Sequence, residues 1–195
     1  IESQNLLLRR LAMQATETAT GYFSPVYGYG TEETRPPPIE VQSEPQRRFL
    51  STSADIAGYG GAAGAGKTFA QLIEPLRHVW RPGFHAVIFR ETAPQIRQAG
   101  GLWDTALTIY ERCGGVPNIT RLEWEFPSGA KISFGHMDDE RELSKWKGSQ
   151  IGFLAFEQLE EFSWRQFFAM LSRNRSTCGT PDRPFRPYVR FTCNP

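Results

Sequence analysis

The chain has 195 residues, 39% of them hydrophobic and 13% aromatic, with a formal net charge of +1. That size and apolar content suit one globular domain with its own core. Near-neutral bulk charge excludes an argument for nucleic-acid binding from charge alone, and no apolar run reaches the length of a membrane span. Cys113, Cys178 and Cys193 have neither paired nor zinc-like spacing, so they read as reduced thiols of an intracellular protein. No secretory leader is apparent, and a cytosolic compartment is expected.

From the N-terminus, residues 1–20 read as an amphipathic helix built on Leu6, Leu7, Leu8, Leu11, Ala12 and Met13. Gly21 to Pro38 is rich in Gly, Tyr and Pro and reads as a linker or wrapping arm. Residues 1–43 are therefore expected to be an N-terminal helix and arm, and residues 44–195 a globular domain. Ser53 to Tyr59 supplies a short strand.

The run Gly61-Ala62-Ala63-Gly64-Ala65-Gly66-Lys67-Thr68 follows it and fits G-x-x-x-x-G-K-[ST]. Glycines and alanines let the backbone wrap so that successive N–H groups converge on a polyphosphate. A helix starting near Lys67 turns its positive end to the same anion. The Lys67 ammonium can reach the β- and γ-phosphates, and the Thr68 hydroxyl can ligate Mg²⁺. ATP and Mg²⁺ are the expected ligands.

Phe69 to Leu76 continues as helix, with Pro75 as a kink. Ala86 to Phe89 is a buried-strand run, and Gly101 to Cys113 forms a helix. Arg121–Phe126 and Lys131–Phe134 alternate around Pro127-Ser128-Gly129, a hairpin signal. Ile151 to Phe156 is a second buried strand, Ser163 caps a helix through Leu171, and Pro187 to Cys193 is the last strand. Acidic residues crowd Asp138 to Glu161, and arginines dominate from Arg165 onward. That contrast suits a phosphate-binding face or a solvated surface with local ion pairs. Strands interleaved with helices around a phosphate loop indicate an α/β fold with a mostly parallel central sheet flanked by helices. The extra strand at Ala86–Phe89, between the phosphate loop and the acidic strand, resembles that of the additional-strand (ASCE, RecA-like) class of P-loop NTPases.

A phosphate loop needs an acidic partner at the end of a buried strand. Phe153-Leu154-Ala155-Phe156 leads into Glu157, placed to hold the metal, and Gln158, placed where a general base belongs. Gln cannot accept a proton, and losing a positioned base costs on the order of 10²–10⁴ in rate. Either Gln158 stands in for a Glu and holds nucleotide without fast turnover, or the base is Glu160 or Glu161.

Several segments together resemble the ATPase domain of a tailed-phage large terminase subunit, the DNA-packaging motor. They are Glu44–Leu50, similar to that family's adenine-binding approach, the phosphate loop, Val87–Thr92 with Gln95–Arg97 and Gly100–Trp103, Trp146–Gly152, Phe156–Phe162 with Gln166–Phe168 and Leu171–Ser176, and Thr192–Pro195. The family carries Glu where this chain has Gln158. The resemblance implies that Gln46 and Gly61 through Thr68 bind ATP, that Thr68 and Glu157 hold Mg²⁺, and that the residue at position 158 activates water. It implies that Asn194 in Thr192-Cys193-Asn194 senses the γ-phosphate within a coupling motif. It further implies double-stranded DNA as partner, a homo-oligomeric ring on a portal, a small terminase subunit, the host-cell cytoplasm and no membrane. A neighbouring subunit would supply an arginine finger, with Arg141, Arg173, Arg175, Lys145 and Lys147 as candidates. Arg90 and Arg97 read equally as phosphate contacts or salt-bridge partners. A helicase-like remodelling ATPase and a nucleotide-dependent assembly switch are the alternative functions.

Overall fold

The computed structural model describes residues 22–23, 39–176, 178–180 and 183–194. The helix expected on Leu6 to Met13, and most of the Gly/Pro-rich arm, lie outside the described residues. Two pieces of that arm are described: β1 (Tyr22–Phe23) pairs antiparallel with β2 (Ile39–Glu40), with Tyr22 opposite Glu40. Ile39 and Val41 pack against the main core, on the arm side of the boundary expected at Glu44.

The remaining elements in order are α1 (Glu44–Ser51), β3 (Ile56–Gly60), α2 (Lys67–Ile73), β4 (His85–Arg90), α3 (Ala93–Arg97), α4 (Leu102–Tyr110), β5 (Val116–Asn118), β6 (Glu123–Glu125), β7 (Lys131–His136), β8 (Phe153–Phe156), α5 (Trp164–Leu171), β9 (Gly179–Thr180), β10 (Arg183–Pro184) and β11 (Tyr188–Cys193). Short 3₁₀ turns cover Glu74–His78, Glu111–Cys113, Glu140–Trp146 and Leu159–Glu161. The main sheet has seven strands in the order β3-β11-β8-β4-β7-β6-β5. The first five run parallel, and β5, β6 and β7 form an antiparallel meander. The expected hairpin is its inner half, with Trp124 opposite Ile132 and Gly129 at φ +81° in the turn.

β4 and β8 read as continuous apolar runs because both of their faces are covered. Ala86, Ile88, Phe153 and Ala155 enter the larger core under α1, α2 and α4. Val87, Phe89, Leu154 and Phe156 enter a second core under α5, with Phe167 and Met170. Ser163 caps α5 as expected, its hydroxyl accepting from Gln166 N–H while the Gln166 side chain accepts from Ser163 N–H.

The sheet order corrects one detail. The strand lying between the loop strand β3 and the acidic strand β8 is the chain's last, β11, while Ala86–Phe89 lies beyond β8. β11 reaches that slot with a charged anchor. Arg190 is 2% exposed, 3.8 Å from the buried carboxylate of Glu74, and donates to the carbonyls of Thr52 at 3.1 Å and Ala54 at 2.9 Å. β3 begins at Ile56 and not at Ser53, and Pro187 on the neighbouring strand's approach has no N–H with which to extend the ladder.

Candidate active site

Four parallel strands end on one side of the sheet, at Gly60, Arg90, Phe156 and Cys193. With β11 inserted, the loop after β3 and the turn after β8 stand either side of it, across a crevice of the kind that binds ligands in open α/β sheets. A cleft of about 480 Å³ occupies that crevice. Ala63 to Phe69 form one wall, Glu157, Gln158, Thr192 and Asn194 the second, and Gln95 with Gly100 to Leu102 the third, with Arg90 also lining the cleft.

The loop passes through two left-handed glycines, Gly64 at φ +77° and Gly66 at φ +72°. Glycine adopts that backbone without strain, which is why the motif closes on Gly66; Gly64 occupies one of its variable positions. Tyr59 Oη donates to Ala65 O at 2.8 Å, and Ala70 N–H to Gly66 O at 3.0 Å. Lys67 is 8% exposed, and its ammonium donates to the carbonyls of Gly61 and Ala62, the latter at 2.8 Å. Gly61 and Ala62 thus face their own lysine, while Ala63 to Thr68 face the cleft.

The Thr68 hydroxyl donates directly to a Glu157 carboxylate oxygen, closing a contact between residues 89 apart in sequence. Glu157 is 8% exposed, and Arg90 Nε lies 3.8 Å from its second oxygen. Burial pushes the Glu157 carboxyl above the usual carboxylate range, and the Thr68 hydrogen bond and Arg90 pull the other way. Arg90 also donates to Glu161 at 3.0 Å. Burial raises Glu161 too, again against Arg90. A hydroxyl and a carboxylate in contact, backed by a guanidinium, are a hard-oxygen donor pair that fits Mg²⁺.

Gln158 takes φ 57°, one of two non-glycine residues in the left-handed region among the described residues. Its N–H donates to Thr192 Oγ1 at 3.1 Å, and its side chain lines the cleft. Backbone strain of this kind is held in place at functional turns by surrounding contacts. Glu160 is turned to Asn194, accepting from its backbone N–H at 3.0 Å and its Nδ2 at 2.9 Å. Glu160 and Glu161 are therefore both engaged, and neither lines the cleft.

Gln46 does not line the cleft. It lies 1% exposed beneath the loop, bonded to Gly66 O and Gln42 N–H. Of the cations considered for a neighbouring site, Arg141 pairs with Asp139, Lys145 with Glu142, and Arg175 reaches the carbonyls of Gly148 and Ser149. Sequence reasoning did not find the double role of Arg90 or the Thr192 acceptor. The signals were a charge closing an apolar strand and a hydroxyl just before Asn194.

Residues 59–195, well over half of the chain, match the family described as terminase large subunit, T4likevirus-type, N-terminal. The chain belongs to that family. No curated protein matches the chain. The large terminase of a thermophilic bacteriophage superposes with a TM-score of 0.60 at 13% identity, over 78% of this chain and 39% of that one. The large terminase of bacteriophage HK97 also gives 0.60, at 9% identity, over 95% and 37%. The large terminase ATPase domain of Thermus phage P74-26 gives 0.54 at 14% identity, over 79% and 65%. At such identities the likeness concerns the fold, which is that of terminase ATPase domains. The present terminase chain spans about two fifths of the first of these proteins. That same thermophilic-phage terminase has been solved with ATP-gamma-S and with ADP. Among the described residues no helix is long and apolar enough to cross a membrane.

Proposed function

We propose that this terminase domain binds Mg²⁺–ATP in the cleft and belongs to a motor that hydrolyses ATP to drive double-stranded DNA into a procapsid. The observation that carries the reading is the contact between the Thr68 hydroxyl and Glu157 beside the phosphate loop. Random surface packing does not bring the close of G-x-x-x-x-G-K-[ST] onto a buried carboxylate at the end of a neighbouring parallel strand. The thermophilic-phage relative, solved with ADP and with ATP-gamma-S, supports nucleotide as the ligand.

In this reading the backbone N–H groups of Ala63 to Thr68 and the Lys67 ammonium take the phosphates. Thr68 and Glu157 hold Mg²⁺, which when bound supplies charge neutralisation at the phosphates. Gln158 holds the attacking water by hydrogen bond but cannot take its proton, so turnover is slow. Asn194, lining the cleft and tied to Glu160, senses the γ-phosphate. The domain extends over residues 44–195, preceded by the arm, and works as a ring of copies on a portal with a small terminase subunit. A neighbouring copy supplies the arginine finger, an effect worth roughly 10³–10⁵ in rate. The host cytoplasm is its compartment.

A nucleotide-dependent assembly switch is the second reading, favoured by Gln158 alone. Titration of the chain with a fluorescent ATP analogue and Mg²⁺, beside Lys67→Ala and Glu157→Ala, tests the proposal. Saturable binding that Lys67→Ala abolishes, and that loses its Mg²⁺ dependence in Glu157→Ala, is expected. Binding indifferent to both substitutions would sink it.

A further inference from the structure

Gln46 sits on α1, in the segment that resembles an adenine-binding approach, yet its amide is turned wholly into the protein. Oε1 accepts from Gln42 N–H at 2.8 Å, and Nε2 donates to Gly66 O at 3.0 Å. The residue is 1% exposed and does not line the cleft. Gly66 is fitted to it. A Cβ on Gly66 would fall 2.2 Å from Gln46 Nε2, so the absent side chain of one residue is the space filled by the other.

The peptide plane shows what this contact does. The C=O of one residue and the N–H of the next point in opposite directions across a trans peptide. With Ala65 O held away from the cleft by Tyr59, and Gly66 O held by Gln46 together with the helical N–H of Ala70, the N–H groups of Gly66 and Lys67 are turned the other way. The loop residues carrying those groups face the cleft. These are the donors a polyphosphate uses.

We propose that Gln46 is a positioning residue for the phosphate loop, setting the Lys67 N–H toward the polyphosphate and leaving base identity unread. The inference rests on the nucleotide-binding reading above and departs from the role its segment's resemblance implies. Gln46 ties the residues before α1 to the last residue of the loop, so the loop's shape depends on a contact from outside the motif.

Binding of ADP, GDP and inorganic tripolyphosphate, each with Mg²⁺, is measured by calorimetry on the chain and on Gln46→Met and Gln46→Glu. Gln46→Met keeps the volume and removes both bonds. Gln46→Glu keeps the acceptor for Gln42 and sets a carboxylate against Gly66 O. Thermal melts identify any variant that is unfolded at the assay temperature. If Gln46→Met is among them, Gln46→Glu carries the test.

Loss of one positioning hydrogen bond is expected to weaken all three ligands by the same factor, on the order of tenfold, with the ADP-to-GDP ratio unchanged. Gly66→Ala should cost less affinity in the Gln46→Met background than in the unsubstituted chain if the thioether yields the space the amide holds. A loss confined to ADP, with GDP and tripolyphosphate unchanged, would make Gln46 a base reader and overturn the proposal. Unchanged affinity for all three in a folded variant would overturn it as well. If the unsubstituted chain bound none of the three, the nucleotide reading itself would fall, a result distinct from either.

Discussion

Gln158→Glu changes one heavy atom and restores a proton acceptor in the cleft. The backbone hydrogen bond from residue 158 to Thr192 does not involve the side chain and is kept. The φ of 57° is equally strained for either residue. The new carboxylate would join Glu157 in a cleft that also carries Lys67 and Arg90 as counter-charges. One added like-charge neighbour at a partly solvated site costs about 1 kcal/mol. Stability should fall by about that amount, and Mg²⁺–ATP should bind up to about fivefold more weakly. Against this, a positioned general base is worth on the order of 10²–10⁴ in rate. Single-turnover hydrolysis of radiolabelled ATP, with enzyme in excess and saturating, reads the ratio directly. Any group supplied by a neighbouring copy is the same for both chains and cancels. A ratio near one with ATP bound in both would refute the assignment of position 158, and would return the search to Glu160 and Glu161 despite their engagement with Asn194 and Arg90.

Arg90→Met removes the cation between Glu157 and Glu161 and should cost about 3 kcal/mol in urea unfolding, because the buried Glu157 and the half-buried Glu161 lose their partner; a loss below about 1 kcal/mol would show the pairs to be surface-like. Gly58→Ala places a Cβ 2.3 Å from the Phe191 ring and should cost about 1–3 kcal/mol, most of it regained by adding Phe191→Leu. His78 is held neutral by burial first and by Arg77 and Arg81 next, so its pKa lies well below the usual 6.5. A depressed base favours the fold above the unfolded pKa, and that advantage is lost as the pH falls through it, since the unfolded chain takes the proton first. As the pH falls below about 6.5 the unsubstituted chain should therefore lose more stability than His78→Phe, and parallel stability–pH curves would contradict the burial.

Much of this fold was legible because local rules and tertiary context agreed. The phosphate loop announces itself through Gly61 and Gly66 at the motif spacing, and Gly66 takes the positive φ that the close of the loop requires. β4 and β8 were readable because strands covered on both faces need no alternation. Ser163 and Gln166 form a cap from residues three apart, so no distant information was needed. What was not legible depends on pairing across long separations. Nothing local in Tyr188–Cys193 says that it slides between β3 and β8, since either neighbour offers the same ladder. Arg190 looked like one more arginine in a basic tail, yet it is buried against Glu74 and binds the carbonyls of the segment that leads into β3. Gln46 carried a family-like context, and only its two hydrogen bonds show which way its amide faces.

The inserted strand also decides how the two halves of the cleft can communicate. The phosphate loop and the acidic turn share no ladder; they meet directly at the Thr68–Glu157 hydrogen bond, and the acidic turn is also bonded to β11 and to its end. Phe191 packs on Gly58 of the loop strand, Thr192 accepts from Gln158, and Asn194 donates to Glu160. The loop side is fixed by two left-handed glycines and by side chains from outside it, Tyr59 and Gln46. On the acidic side Glu157 and Glu161 are held by Arg90, but Gln158, already strained at φ 57°, is tied to β11 by one hydrogen bond worth about 1 kcal/mol, and Glu160 is tied to Asn194 by two. A ligand's differential contacts can shift only what is held by comparable energies. The chemistry of the cleft would therefore be felt first at Gln158 and Glu160, and passed along β11, while the loop keeps its shape.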